Sequence, residues 1–114
     1  MKTFTRADRV GELVRQNLSD ILLHTISDPR LASVTITGVR MSADIKLARI
    51  YFVTGTGKKA KADAVAGFKK ASGYIKRILG KRLALRYVPA LRFYYNESLD
   101  YGEHIDTLLG KIPR

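Results

Sequence analysis

The segment Gly55-Thr56-Gly57-Lys58 has the residue types of a phosphate cradle, glycines for close backbone approach and a lysine for charge. Its spacing does not match. A phosphate-binding loop needs a glycine five residues before the Gly-Lys pair and a hydroxyl after the lysine, but those positions hold Phe52 and Lys59. The segment reads as a flexible basic loop. His24 and His104 are the two histidines, and neither has a second His or Cys at ligand spacing, so no metal site is expected. Asp100, Glu103 and Asp106 cluster around His104. Paired carboxylates act as acid and base only where a pocket drives their pKa values apart. This cluster reads instead as solvated, or as folded back onto a basic face. There is no cysteine, which excludes a thiol nucleophile and a disulfide framework and fits a reducing compartment. No motif supplies a base, a nucleophile or a metal, so neither an enzyme nor a cofactor nor a small-molecule substrate is expected.

The residue types that remain are cations. The chain has 114 residues, 21 Lys plus Arg against 10 Asp plus Glu, and a net charge of +11. Lys58 to Arg92 holds eleven cations against the single acid Asp63, a net +10 in one third of the chain. Charge at this density repels itself unless a polyanion is the partner. Nucleic acid is the first candidate and an anionic membrane surface the second. With 46% hydrophobic residues the chain is globular in composition, and its length fits one domain, 1–114. No apolar run is long enough to span a membrane, and the first residues lack the apolar core of a secretory signal.

The elements that must position these cations follow from periodicity. Val10, Leu13, Val14, Leu18, Ile21, Leu22 and Ile26 repeat at helical spacing, predicting a helix from Arg6 to about Ile26. Thr5 is its expected N-cap, Asp8 lies in its first turn, and Asp28-Pro29 is expected to stop it. Val34 to Met41 reads as a strand whose apolar phase slips at Gly38, predicting a β-bulge. Ser42-Ala43-Asp44 is turn-like, and Lys46 to Val53 reads as a second, antiparallel strand with Ala48, Ile50 and Phe52 on one face. Helical patterning returns from Lys61 to about Leu83, with Val65 and Phe68 apolar before Ala71-Ser72-Gly73, and Tyr74, Ile75, Ile78, Leu79 and Leu83 after it. Gly73 costs about 1 kcal/mol inside a helix, so two helices joined at a kink are expected. Leu91 to Tyr95 is a third strand, with Leu91, Phe93 and Tyr95 on one face and Arg92 and Tyr94 on the other. Ile105, Leu108, Leu109 and Ile112 predict a terminal helical turn or packed tail.

These elements predict an α+β two-layer sandwich with helices on one face of a three-stranded sheet. The order α-β-β-α-(kink)-α-β is that of a type II KH domain, whose inter-helix loop clamps a nucleic-acid backbone. Lys69, Lys70, Lys76, Arg77 and Lys81 fall on one side of the helical pair. Ser72 and Gly73 would open the second helix with free backbone N–H groups, an anion site. The predicted RNA-binding set is Lys58, Lys59, Lys61, Lys69, Lys70, Ser72, Gly73, Lys76, Arg77, Lys81, Arg82 and Arg86.

The chain also resembles the ribosome-binding factor A family over about Phe4 to Ile112. The carriers are Arg9-Val10, Asp28-Pro29-Arg30, Val34-Thr35-Ile36-Thr37-Gly38-Val39, and Ser42 with Asp44. They continue with Ala48 and Ile50-Tyr51-Phe52-Val53, Ala71-Ser72-Gly73-Tyr74-Ile75-Lys76-Arg77, Leu85-Arg86, Pro89-Ala90-Leu91-Arg92-Phe93, and Ile105 with Leu108-Leu109. The resemblance implies a type II KH-like fold with an Ala-x-Gly kink at Ala71, Ser72 and Gly73. It implies binding to the free small ribosomal subunit and to 16S rRNA, and a role in maturing the 5′ end of that rRNA. A cytoplasmic monomer is expected. Asn96 departs from the Asp usual in the family at that position. A general module for nucleic acid or anionic membranes is the alternative.

Overall fold

The computed structural model describes residues 4–55 and 57–97. The acidic cluster with His104, and the tail containing Ile105, Leu108, Leu109 and Ile112, lie outside the described residues. Helix α1 runs Arg6–His24, strand β1 Thr35–Met41, β2 Leu47–Val53, helix α2 Lys58–Leu83 and β3 Ala90–Tyr95. A short 3-10 turn at Pro29–Leu31 joins α1 to β1.

Thr5 caps α1 as the sequence predicts, and Asp8 makes the cap a reciprocal capping box. The Asp8 N–H donates to Thr5 Oγ1 at 3.1 Å, and the Thr5 N–H donates back to the Asp8 carboxylate at 3.0 Å. The helix ends at His24, before the proline, and Pro29 instead starts the 3-10 turn.

β1 and β2 pair antiparallel, with the register shift between Ile36 and Gly38 that the apolar phase slip predicts. The Thr37 hydroxyl at that bulge donates to the Tyr51 carbonyl at 3.2 Å and accepts from the Asn96 side-chain amide at 3.0 Å. Asn96 thus ties the end of β3 to the irregular point of β1, two strands away. The hairpin turn is closed by Ser42 and Asp44, whose side-chain oxygens accept the Lys46 and Leu47 N–H groups. α2 then crosses over, and β3 pairs parallel with β2, giving the order β1-β2-β3.

Both helices cover one face of this sheet, the KH-like α+β sandwich. Val14, Leu18 and Ile21 of α1 meet Ile50 and Phe52 of β2 and Phe68, Ile75 and Leu79 of α2 in one core. Phe52 lies edge-on to Phe68 and Tyr95, and Phe68 stacks on Phe93 with centroids 4.1 Å apart. Such ring pairs add about 0.5–1.5 kcal/mol each beyond their area.

Three expectations are corrected. The two helices expected around Ala71-Ser72-Gly73 are one helix of 26 residues, and Lys58 and Lys59 belong to its first turn. Gly73 keeps an ordinary helical φ; the positive-φ glycine among the described residues is Gly57, at the α2 N-cap. Leu13, Val65 and Tyr74 are exposed, while Ala64 and Gly67 are buried. The reason is packing distance. A methyl group on Gly67 would come within 2.9 Å of Leu31, so the 3-10 turn lies directly on the α2 backbone. A bulkier residue at that contact would hold the layers apart.

Candidate RNA-binding face

α2 presents its cations in two rows. Lys58, Lys69 and Lys76 are separated by about two or three whole turns, as are Lys59, Lys70 and Arg77, and Lys81 follows Arg77 by about one turn. All seven are exposed. Between the rows lie small exposed residues, Ala62, Ala66 and Gly73. The core stripe of Ala64, Phe68, Ile75 and Leu79 fixes this orientation, because it occupies the opposite side of the helix.

The continuous helix changes the chemistry at Ser72 and Gly73. Inside an α-helix each N–H points at the carbonyl four residues back, so these two residues do not begin a helix with free donors. Gly73 offers something else, a bare backbone. A methyl group built there would meet nothing within 4 Å, so neither close packing nor φ demands glycine. Lys69, Lys70, Lys76 and Arg77 surround it, with Ser72 half-buried at its side. Arg77 lies over the exposed Tyr74 ring at 5.5 Å, a cation–π contact beside the same spot.

Three of the predicted cations are engaged elsewhere. Arg82 reaches across to α1, donating to the Asp20 carboxylate at 2.7 Å. That guanidinium first, and His24 second, hold the Asp20 carboxyl below its ordinary value. Lys61 pairs with Glu97 at 2.7 Å and lies 4.6 Å over the Tyr95 ring. Arg86 follows the helix, over Tyr87, in a groove lined also by Arg6 and Lys46. Lys59 has an i,i+4 partner in Asp63, which is exposed and of small energetic weight.

Asp28-Pro29-Arg30 proves to be a local clasp. The Asp28 carboxylate accepts the Arg30 backbone N–H at 2.9 Å and pairs with its guanidinium at 2.7 Å. Arg30 thereby pulls the Asp28 pKa down to about 2. His24 bonds to Asp20 at 2.8 Å, and among the described residues no three His, Cys, Asp or Glu side chains are grouped to hold a metal.

Arg40 and Arg49 escaped the sequence reading. They lie outside the dense basic segment, and their pairing with Arg92 appears only in the strand register. Strand alternation was the available signal, since both flank residues of the inward face.

The family model of ribosome-binding factor A matches residues 6–109. A ribosome-binding factor A from Desulfosudis oleivorans is 46% identical over 112 residues, covering 98% of this chain and 87% of the relative. The crystal structure of ribosome-binding factor A from Thermus thermophilus superposes with a TM-score of 0.69 at 21% identity, over 78% of this chain and 93% of that one. Coordinates of the Thermus thermophilus factor fitted into a cryo-EM map of a 30S–RbfA complex give a TM-score of 0.65 at 22% identity, over 79% of this chain and 93% of that one. The two structures speak to the fold. The family model and the relative, which span nearly the whole length, speak to descent, and on that ground the chain belongs to the ribosome-binding factor A family.

Proposed function

We propose that this protein is a non-enzymatic assembly factor, a monomer of one domain in the cytoplasm. It binds the free small ribosomal subunit through 16S rRNA and assists late maturation, including processing of the rRNA 5′ end. The outward face of α2 is the contact. The observation that carries this reading is Gly73. It is exposed, has open space where a side chain would go, and stands among four cations. Glycine there costs the helix about 1 kcal/mol relative to alanine, and the fold gains nothing visible in return. A bare backbone between two rows of cations lets a phosphate chain lie close to the helix. Family membership supports the subunit as target, since the Thermus thermophilus factor is described in a 30S complex.

The competing reading is a general polyanion binder, for duplex DNA or an anionic membrane. Among the described residues no helix is long and apolar enough to cross a membrane. Co-sedimentation separates the two readings. Selective association with free small subunits, over large subunits, duplex DNA and anionic vesicles, is expected. Lys76→Glu with Arg77→Glu should abolish most of that association at an unchanged or slightly raised melting temperature, because both side chains are exposed and their removal relieves like-charge repulsion. Undiminished binding by the double variant would move the contact off α2.

A further inference from the structure

The sheet has a second broad face, turned away from both helices, and strand register builds it. Arg40, Arg49 and Arg92 stand directly opposite one another on β1, β2 and β3. All three are exposed, and each alternates with residues that pack on the core. Adjacent strands are about 4.8 Å apart, so the three arginines form a row about 10 Å wide at its base. The strands themselves contain no Asp or Glu. Among the described residues none of the three guanidiniums forms an ion pair.

Two residues along the strands, on the same face, Tyr51 and Tyr94 are register partners. Their rings stack with centroids 5.6 Å apart and planes 29° from parallel. Their neighbour on β1 is Gly38, which has no side chain to cover them. Tyr94 stays 41% exposed although it is stacked, so the pair can accept a further ring.

Like charges set directly opposite weaken a sheet. A row of three with no carboxylate paired to it among the described residues is unfavourable by itself and favourable once a polyanion covers it. A protein helix would need an apolar groove, which a flat face crossed by arginines does not offer. A duplex would present phosphates but no base faces. A single strand presents both, bases to stack on tyrosine and phosphates to meet guanidinium.

We propose that this open sheet face binds single-stranded RNA, an unpaired base stacking on the Tyr51–Tyr94 pair and the adjoining phosphates meeting Arg40, Arg49 and Arg92. The inference rests on the RNA-binding reading above and extends it, because α2 lies on the other side of the sheet. The protein then holds two segments of rRNA at once, one on each side.

The chain has six tyrosines and no tryptophan, so the part of the tyrosine quenching that Tyr94→Leu removes reports on the stacked pair. Titration with a short oligouridylate should quench tyrosine emission in the parent. Tyr94→Leu should remove most of the quenching, and Arg49→Thr should weaken oligonucleotide binding about fivefold or more. Arg49→Thr should also keep or raise the melting temperature, because it relieves the central repulsion and threonine suits a strand. Lys76→Glu with Arg77→Glu should lose subunit binding yet retain the quenching. If the Tyr94 and Arg49 variants bind the oligonucleotide like the parent, or if duplex RNA of equal length quenches as strongly, the sheet-face proposal is overturned. If those two variants fail while the α2 variant binds subunits normally, the sheet face stands and the α2 reading falls.

Discussion

Gly67 and Gly73 belong to the same helix for opposite reasons. Gly67 is buried against Leu31, and a Cβ there would lie 2.9 Å from two Leu31 carbons and 3.3 Å from Arg30. Gly73 faces open space. Gly67→Ala should therefore destabilise the protein by about 1–2 kcal/mol, overpacking outweighing the gain in helix propensity. Gly73→Ala should stabilise it by about 1 kcal/mol, the intrinsic preference of alanine. Urea denaturation midpoints check both. Gly73→Val should stay folded and bind small subunits several-fold more weakly, since a branched side chain holds a phosphate off the backbone. A loss of stability in Gly73→Ala would mean the glycine serves the fold, and the main argument for the α2 face would go with it.

At the scale of elements, the 3-10 turn Pro29–Leu31 decides how close the layers come. Asp28 accepts the Arg30 N–H, clasps its guanidinium, and so holds Leu31 down on Gly67. Arg30 depresses the folded-state pKa of Asp28 to about 2, below the ordinary value of 3.8. A carboxylate with a depressed folded pKa stabilises the native state fully above its unfolded value and loses that contribution as pH falls through the folded one. The stability difference between the parent and Asp28→Asn should therefore be constant from neutrality down to about pH 4. It should shrink between about pH 4 and 2 and be gone below that. Denaturant titrations at several pH values check this. A difference near zero already at neutral pH would show that Asp28 acts through the backbone hydrogen bond alone, which an asparagine oxygen can also accept, and one undiminished at pH 2 would show that the carboxylate charge is not its source.

For the whole molecule, charge sets stability and function against each other. Of the cations in a chain of net charge +11, the α2 rows carry seven on one side of the sheet and the arginine row three on the other. Self-repulsion of this kind is screened by salt, so the melting temperature of the free protein should rise from low to moderate ionic strength. Binding should move the other way. If about five cations meet phosphates, log K should fall with log[salt] at a slope of roughly −3.5 to −4.5. Melting curves and subunit binding over the same salt series check the pair of trends. A binding slope near zero would remove phosphate neutralisation as the basis of recognition.

The features legible in the amino-acid order were local. Apolar period marked α1, β1, β2, α2 and β3, because burial of one face imposes the repeat of the element that carries it. Turn and cap chemistry was equally legible at Thr5, Ser42 and Asp44, where a side chain bonds its own neighbourhood. The phase slip at Gly38 located the bulge, and the concentration of cations between Lys58 and Arg92 located the basic helix. Features that depend on proximity between distant segments emerged only on folding. Helix propensity argued for a break at Gly73, yet the sheet and α1 bury Ile75 and Leu79 beside Phe68 and keep the helix whole. Arg82 counted as a free cation until the approach of α1 gave it Asp20. Arg40, Arg49 and Arg92 were three unremarkable residues until strand order and register, which no single strand encodes, set them side by side.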